Sequence, residues 1–311
     1  MSSSLAGQAR IVVGSVLRDG DRSSTVESWI VIPVVAGSNP VGHPNPPRKW
    51  QQPEIACAGS PGSACRLLVH AALDQMAANV AGAIDGRDPE YLHQLRVGMR
   101  RLRAVLRVFR KVTSKSRRLE RRLGELVVPL GEARDWDVFV ARFDTGKARR
   151  RAAQLRCRAA LSSPEFAAFS AEARAWARAN ACAAEPPLTE FAADALDRLH
   201  RKARRRAHRI DWRDEEGRHD VRIAIRRLRY ACDCFSPCFE GARRYLRGLA
   251  DLQDLLGDLN DIAVARRFGA SEAALAKRER QLVSELAPAW RAFEKRRRFW
   301  HGTGIPPAAA R

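Results

Sequence analysis

A histidine followed by arginines at helical spacing is the feature of this sequence that most directly indicates chemistry. The residues are His93, Arg96, Arg100, Arg103 and Arg107. At about 100° per residue, all five fall within an arc of about 80° on one face of a helix. Arginine forms paired hydrogen bonds with phosphate and carboxylate oxygens, so this face is suited to binding an anion.

The same pattern occurs a second time along the chain. His219 follows His93 by 126 residues, and the arginines that share its arc are Arg222, Arg226 and Arg229. Asp233 stands where the first copy has its last arginine. The register continues without a gap as far as Val138 and Val264. A period this long is not that of a solenoid and predicts one duplicated helical unit.

Two interpretations of the arginine faces remain open. Stacked arginines repel one another, and a face that served solubility alone would interleave glutamates four residues away. The first copy has none in its arc. Acids on neighbouring helices could instead neutralise a solvated cationic face; the candidates are Asp135, Asp137, Asp258 and Asp261. The repetition of the histidine and arginine positions favours ligand binding.

The histidines are expected to contact phosphate rather than a metal. Neighbouring cations disfavour protonation, so His93 and His219 should be mostly neutral near pH 7. Two histidines without acids on the same faces make a poor metal site. Phosphoryl transfer to histidine would need magnesium-binding acids and a phosphate loop, which do not accompany them. We therefore expect no catalytic residue, no metal and no cofactor.

The cysteines give only a weak signal. Cys232, Cys234 and Cys238 are close in sequence, but their spacing is not that of a known metal site, and we expect reduced thiols. No secretory signal or apolar segment long enough to span a bilayer is recognised. The sequence therefore predicts a cytoplasmic protein.

Helices must position the arginine faces. Opposite the first face lies an apolar stripe formed by Leu95, Met99, Leu102, Leu106 and Phe109. Asp88-Pro89-Glu90 is typical of a helix start. Further helices are predicted at about 64–85, 117–142 with a kink at Pro129, 163–180, 189–210, 214–237, 241–268 and 271–298. No long stretch alternates at period two, so the predicted fold class is all-α.

Composition divides the chain into three parts. Residues 1–60 contain Pro, Gly and Ser clusters and are predicted to be a disordered or poorly structured extension. Residues 61–300 form the predicted domain, with halves of about 61–183 and 188–300, and residues 301–311 a flexible tail. Nearly all of the net charge of +21 lies beyond residue 60. Such a field attracts polyanions, namely nucleic acid, anionic lipid or a phosphate polymer.

Several motifs in order resemble those of one family, the conserved histidine α-helical domain, or CHAD. They are His93-x2-Arg96-x3-Arg100-Arg101-Leu102-Arg103 with its copy at 219–230, Leu130-Gly131-x2-Arg134-Asp135-x-Asp137-Val138, and Leu256-Gly257-Asp258-Leu259-Asn260-Asp261. The resemblance covers about residues 62–298. It implies an all-α fold of two four-helix bundles related by a pseudo-two-fold axis.

The resemblance also implies a ligand. It indicates inorganic polyphosphate bound in a basic groove lined by the histidine-motif helices, and association with polyphosphate granules. Lys202 and Arg206 match, more loosely, a region where the family places further basic residues. Nucleic acid is the alternative partner, but the arginine faces lack interleaved aromatics for base stacking and no DNA-reading motif is present.

Overall fold

The computed structural model describes residues 46–179 and 186–302. Within these ranges the chain forms nine α-helices and no strand, which confirms the all-α class. The helices are α1 (Pro61–Asp85), α2 (Pro89–Val108), α3 (Ser116–Phe143), α4 (Lys147–Leu161), α5 (Pro164–Ala179), α6 (Leu188–Ala207), α7 (Glu215–Phe235), α8 (Ala242–Arg267) and α9 (Glu272–Glu294).

Helices α2 and α7, which carry the two arginine faces, begin in the same way. Asp88 caps α2 by accepting a hydrogen bond from the Glu90 amide (2.8 Å), and Pro89 follows it. Asp214 caps α7 through the amides of Glu216 and Gly217. Such caps satisfy amides that have no partner within the helix and contribute about 1 kcal/mol each.

The predicted apolar stripe of α2 is fully buried. Its five residues, Leu95, Met99, Leu102, Leu106 and Phe109, are all 0 or 1% exposed. Burial of each such side chain stabilises the fold by roughly 1.5–3 kcal/mol. Helix α2 is therefore fixed in rotation by its apolar side, and the opposite side must carry the arginines.

Helices α2 and α7 contact each other. Helix α2 also packs against α1 and α3, and α7 against α6 and α8. At the ends of α2 and α7, the rings of Phe109 and Phe235 have centroids 5.7 Å apart, and Phe191 of α6 stacks on Phe109 at 5.1 Å. The two arginine-bearing helices thus share one hydrophobic core.

Residues 46–179 contain five α-helices, where the implied bundle has four. Helix α4 was not predicted, because it buries only Ala153, Cys157 and Leu161, and its other residues mix arginines with alanines that are not buried. So few small apolar residues give no recognisable stripe. Helix α3 continues through Pro129, the position at which a kink is predicted.

Residues 46–60, which we call the N-terminal strap, do not behave as the expected extension. They form no helix but are held to the core at several points: the Arg48 amide donates to Asn79 (3.1 Å), and Gly59 accepts from the Leu188 amide (3.1 Å). Cys57 forms a disulfide with Cys238. The expectation for residues 1–60 is therefore corrected for the strap, while residues 1–45 lie outside the described residues.

The disulfide also corrects the expectation of reduced thiols for Cys57 and Cys238. Because Cys238 is bonded to Cys57, the cluster formed by Cys232, Cys234 and Cys238 does not offer three thiolates to a metal. Among the residues that the structure describes, no group of three or more potential metal ligands is found.

The C-terminal end of the predicted domain is also packed. Phe299 and Trp300 are buried, and the His301 ring lies 3.0 Å from Asp197 Oδ1, so the start of the expected tail is packed on the domain. Residues 303–311 lie outside the described part.

One described helix, α1, is long and apolar enough to cross a membrane, but more than half of its apolar window is buried, as in a core helix of a soluble protein.

Candidate anion-binding site

The crossing of α2 and α7 brings the middle of the two arginine faces together. Arg100 Nε donates a hydrogen bond to the Tyr230 hydroxyl (3.0 Å). Arg100 is also an electrostatic neighbour of Arg222 and of Arg226. The structure therefore places three predicted site residues, Arg100, Arg222 and Arg226, in one cluster, which we call the central arginine cluster.

Arg226 has the most strongly cationic surroundings in this cluster. Burial, followed by the charges of Arg222 and Arg100, lowers its pKa to about 10. The protonated guanidinium is still the dominant form near neutral pH, since its pKa remains well above 7. Its positive charge is opposed by its neighbours, and an anion placed there would relieve that repulsion.

Arg96 is held as a structural anchor. Its Nη1 donates to the carbonyl of Leu130 (2.6 Å) and lies so close to Gly131 that a Cβ there would come within 3.1 Å of it. Burial lowers its pKa to about 10, while Asp135 opposes that shift. A side chain at Gly131 would therefore crowd this guanidinium.

The four acids that could neutralise the arginine faces divide into two pairs. Asp135 lies near Arg96 and Arg222, and Asp261 near Arg222; burial raises the pKa of both carboxyls against the effect of these arginines. Asp137 and Asp258 instead pair with arginines outside the faces, Arg150 (2.7 Å) and Arg278 (3.0 Å). Of these four acids, only Asp135 and Asp261 reach the arginine faces, at the end of each face that holds Arg96 or Arg222.

The other end of the α2 face opens into a cavity of about 360 Å³ bounded by α2, α3, α6 and α7. We call it the basic cavity. Its lining includes five cations and a single carboxylate, Glu120; the cations are Arg107, Arg110, Arg198, Lys202 and Arg227. Glu120 pairs with both Arg107 and Arg110. Arg198 has Asp194 at 3.9 Å, whereas Lys202 and Arg227 have no carboxylate within 4.0 Å among the described residues, so the cavity is left positive.

Burial and electrostatic repulsion within the basic cavity lower the pKa of two of its basic groups. The pKa of Lys202 is lowered, first by burial and then by Arg206, Arg227 and Arg107. Burial and then Arg107 and Arg206 lower the pKa of Arg227. Each shift means that the surroundings disfavour the positive charge, which a bound anion would stabilise.

Three arginines in or beside the basic cavity have an unused donor. The Nε atoms of Arg103, Arg110 and Arg227 are buried and make no hydrogen bond within the described residues. A buried donor without a partner costs about 1–3 kcal/mol. An anionic ligand whose oxygens reached these N–H groups would remove that cost.

The two histidines lie in different surroundings. His93 is half-buried, and its pKa is lowered by burial first and then by Arg134, partly offset by Glu90, in the direction that the sequence predicts. His219 is exposed and lines a separate cavity of about 580 Å³ between α7 and α8, together with Arg222 and Arg267. The structure does not bring the two imidazoles into one site.

The remaining predicted residues have local acidic partners. Arg206 donates from Nη1 to the carbonyl of Asp220 (2.9 Å) and pairs with its carboxylate (3.4 Å). Arg229 is an electrostatic neighbour of Asp233. Arg206 still contributes to the field at the basic cavity, as its effect on Lys202 shows.

Sequence analysis missed Arg227 as a site residue. On the helical wheel Arg101 and Arg227 lie at about +80°, apart from both arginine faces. In the structure Arg227 lines the basic cavity together with Arg107, because α7 packs against α2. The only sequence signal was that arginine occupies the same position in both copies.

Comparisons with known proteins were made for the whole chain. The family model described as the CHAD domain matches residues 67–270. A crystal structure of the CHAD domain from the plant Ricinus communis is similar, with 27% identity, a TM-score of 0.70, and coverage of 81% of this chain and 98% of that one. No curated protein sequence matches. CHAD domains are generally non-catalytic binding modules. The family match and the shared helical architecture show that this chain belongs to the CHAD family.

Proposed function

We propose that this protein binds inorganic polyphosphate. The observation that carries the proposal is the basic cavity, in which five cations face a single glutamate and buried guanidinium donors have no partner. Family membership supports the same ligand, since polyphosphate binding is the known role of CHAD domains. Hydrogen bonds between charged groups contribute roughly 1.5–3 kcal/mol each before ordering costs.

A linear ligand suits this arrangement better than a single phosphate. Arg227 of the basic cavity is next in sequence to Arg226 of the central arginine cluster, and the two are electrostatic neighbours. A chain of phosphates could contact both places at once, so each contact would raise the effective concentration for the next. The predicted site residues Arg96, Arg100, Arg103, Arg107, Lys202, Arg206, Arg222, Arg226 and Arg229 would contribute directly or through their field, and His93 and His219 as hydrogen-bonding groups.

We also propose that the two halves derive from one duplicated unit. The starts of α1, α2 and α3, shifted by the sequence period, coincide with those of α6, α7 and α8 to within about one residue. The contact of Arg101 with Asp233 and that of Arg107 with Arg227 involve the same two positions exchanged between the copies. This exchange supports a pseudo-two-fold axis between α2 and α7.

Titration with matched ligands tests the proposed function. Long-chain polyphosphate should bind much more tightly, per phosphate, than orthophosphate, and more tightly than duplex DNA of equal charge. Affinity should fall linearly with salt on a log–log plot, because bound counterions are released. Equal affinity per phosphate for long and single phosphates would contradict the proposal, and tighter binding of DNA would favour a nucleic-acid partner.

We also propose that polyphosphate binding is non-enzymatic and that the protein associates with polyphosphate granules. Incubation with polyphosphate should release no orthophosphate, and the tagged protein should co-localise with cytoplasmic polyphosphate granules. The Cys57–Cys238 disulfide weighs against a reducing compartment, since such bonds are rare there. Fractionation combined with thiol labelling would decide the location.

A further inference from the structure

A second cationic cleft lies between the first turns of α8 and the last turn of α9. It has a volume of about 610 Å³, and its lining contains five cations and no acid: Arg243, Arg244, Arg247, Lys295 and Arg296. We call it the α8–α9 cleft. It shares no lining residue with the basic cavity or with the cavity beside His219.

The charges of the α8–α9 cleft are almost uncompensated. Arg243, Arg244, Arg247 and Lys295 are exposed, and among the residues that the structure describes none of them has a carboxylate within 4.0 Å. Only Arg296 has an acidic neighbour, Asp251 at 3.6 Å, whose side chain is largely exposed. The cleft is therefore an unpaired concentration of positive charge.

The helix dipole makes this arrangement costly for α8. The N-terminal end of a helix carries partial positive charge, so cations there are unfavourable and anions favourable. The first two turns of α8 carry Arg243, Arg244 and Arg247 and no acid in the first turn, and its N-cap is Gly241, without a capping side chain. Basic residues at the end of α9 are expected on dipole grounds, but those at the start of α8 are not.

The position of Arg296 in the cleft is built into the fold. Its guanidinium donates a hydrogen bond to the carbonyl of Arg244, and its side chain lies against Gly248. A Cβ at Gly248 would come within 2.6 Å of Arg296 Nε. The missing side chain in α8 thus makes room for a guanidinium at the cleft.

The corresponding surface of the first half provides an internal comparison. Arg117, Arg118 and Arg121 of α3 occupy the positions equivalent to the three arginines of α8. There Glu172 of α5 pairs with Arg118 (3.3 Å) and also with Arg122, which stands at the position of Gly248. An arginine-rich composition alone does not explain why one copy has an acid beside Arg118 and Arg122 while the other gains Lys295 and Arg296.

We propose that the α8–α9 cleft is a second, separate oligophosphate-binding site. Several cations around a concave surface match an anion with several negative charges close together, and the α8 N-terminus adds backbone N–H donors. The ligand would be either a free short oligophosphate or the end segment of a longer polyphosphate chain. The cleft uses its own residues, so the proposal stands independently of the basic cavity.

Calorimetric titration with tripolyphosphate at low salt tests this site. The cleft variant is Arg243→Ala/Arg247→Ala, the cavity variant Lys202→Ala/Arg227→Ala, and the matched control Arg117→Ala/Arg121→Ala, all with the same change in net charge. Loss of the cleft should remove one class of tripolyphosphate sites or weaken it by about tenfold. The control should bind like the wild type, and melting curves should show that all variants fold.

The outcomes separate the two proposals. A cleft variant that binds like the wild type, or a control with an equal loss, overturns the cleft site. If the cavity variant alone abolishes all tripolyphosphate binding, the cleft site is also overturned while polyphosphate binding by the cavity stands. If only the cleft variant loses binding, the cleft stands and the cavity fails. A parallel titration with long-chain polyphosphate identifies the source, because its affinity falls in the cleft variant only if the chain itself docks there.

Discussion

The contact between α2 and α7 has two sides that use equivalent positions with opposite results. On one side Arg101 pairs with Asp233 (3.3 Å), and Trp50 of the strap covers its guanidinium at 4.5 Å. On the other side the equivalent positions hold Arg227 and Arg107, which repel each other at the basic cavity. The exchange of one arginine for Asp233 accompanies the change from an open cationic surface to a covered structural contact.

The comparison teaches that arginine repetition alone does not identify binding residues. Arg101 and Arg227 are equivalent in sequence, and each has a buried guanidinium donor without a partner among the described residues. Arg101, however, pairs with Asp233 and lies over the rings of Trp50 and Tyr230. Arg227 is next to Lys202 and other cations. The partners across the α2–α7 contact therefore determine which of the two arginines is paired with a carboxylate and which lies among cations.

Placing an arginine at position 233, the equivalent of Arg107, should have the largest effect on stability. Asp233→Arg would place two cations together beneath Trp50 without a carboxylate. We expect the free energy of unfolding to fall by about 3–5 kcal/mol, as when one partner of a buried ion pair is lost. Chemical denaturation measures it. Asp258→Arg, which breaks the exposed pair with Arg278, should cost about 1 kcal/mol or less; equal costs would show that the covered side has no special role.

Removing the disulfide should have the next largest effect. Cys57→Ser/Cys238→Ser opens a link between residues separated by 181 positions, and we expect a loss of about 2–4 kcal/mol in the free energy of unfolding. The strap should loosen, so Trp50 should become more exposed to water. Denaturation followed by tryptophan fluorescence measures both, and a Cys157→Ser variant, which alters a buried thiol elsewhere, is the control.

Removing two cations from the basic cavity should reduce polyphosphate affinity with little effect on stability. Lys202→Ala/Arg227→Ala removes two cations whose charge the cavity disfavours. We expect polyphosphate affinity to fall by about tenfold to a hundredfold, or about 1.4–2.8 kcal/mol. The control is Lys277→Ala/Arg280→Ala, an equal loss of charge at exposed positions of α9. An equal loss of affinity in the control would indicate attraction by net charge alone.

The smallest expected effect concerns the protonation of His93. Its pKa is lowered in the folded state, so the stability contributed by the neutral ring is present above about pH 6.5 and is lost as the pH falls through the lowered pKa. His93→Gln should therefore flatten the fall in unfolding free energy between about pH 7 and 5. Because His70 and His200 are shifted in the same direction, the difference between variant and wild type isolates His93. No difference across this range would contradict the expected contribution.

Periodicity was sufficient to predict the helices that carry the site. The apolar stripe from Leu95 to Phe109 fixes the rotation of α2, and Asp88 and Asp214 fix where α2 and α7 begin, because these are local effects. The wheel also places the arginines opposite the core. It could not show that this opposite side is half-buried against α7, since helix crossings depend on contacts distant in sequence.

The parts that sequence analysis missed all depend on such distant contacts. Arg96 has the spacing of a ligand-binding residue but donates to Leu130 on another helix. The strap has the composition of a disordered segment, yet it is fixed by Cys238 and Asn79. Helix α4 buries three small residues that become apolar contacts only once the neighbouring helices are in place.

The Cys57–Cys238 disulfide also determines what happens when the chain is cut. It joins a residue before α1 to one after α7, so every residue between 57 and 238 lies within one covalent ring. A single cleavage between α5 and α6 would open that ring without releasing a fragment. The two pieces should migrate separately on a denaturing gel only after reduction, and the nicked protein should keep α2 and α7 joined while it still binds its ligand.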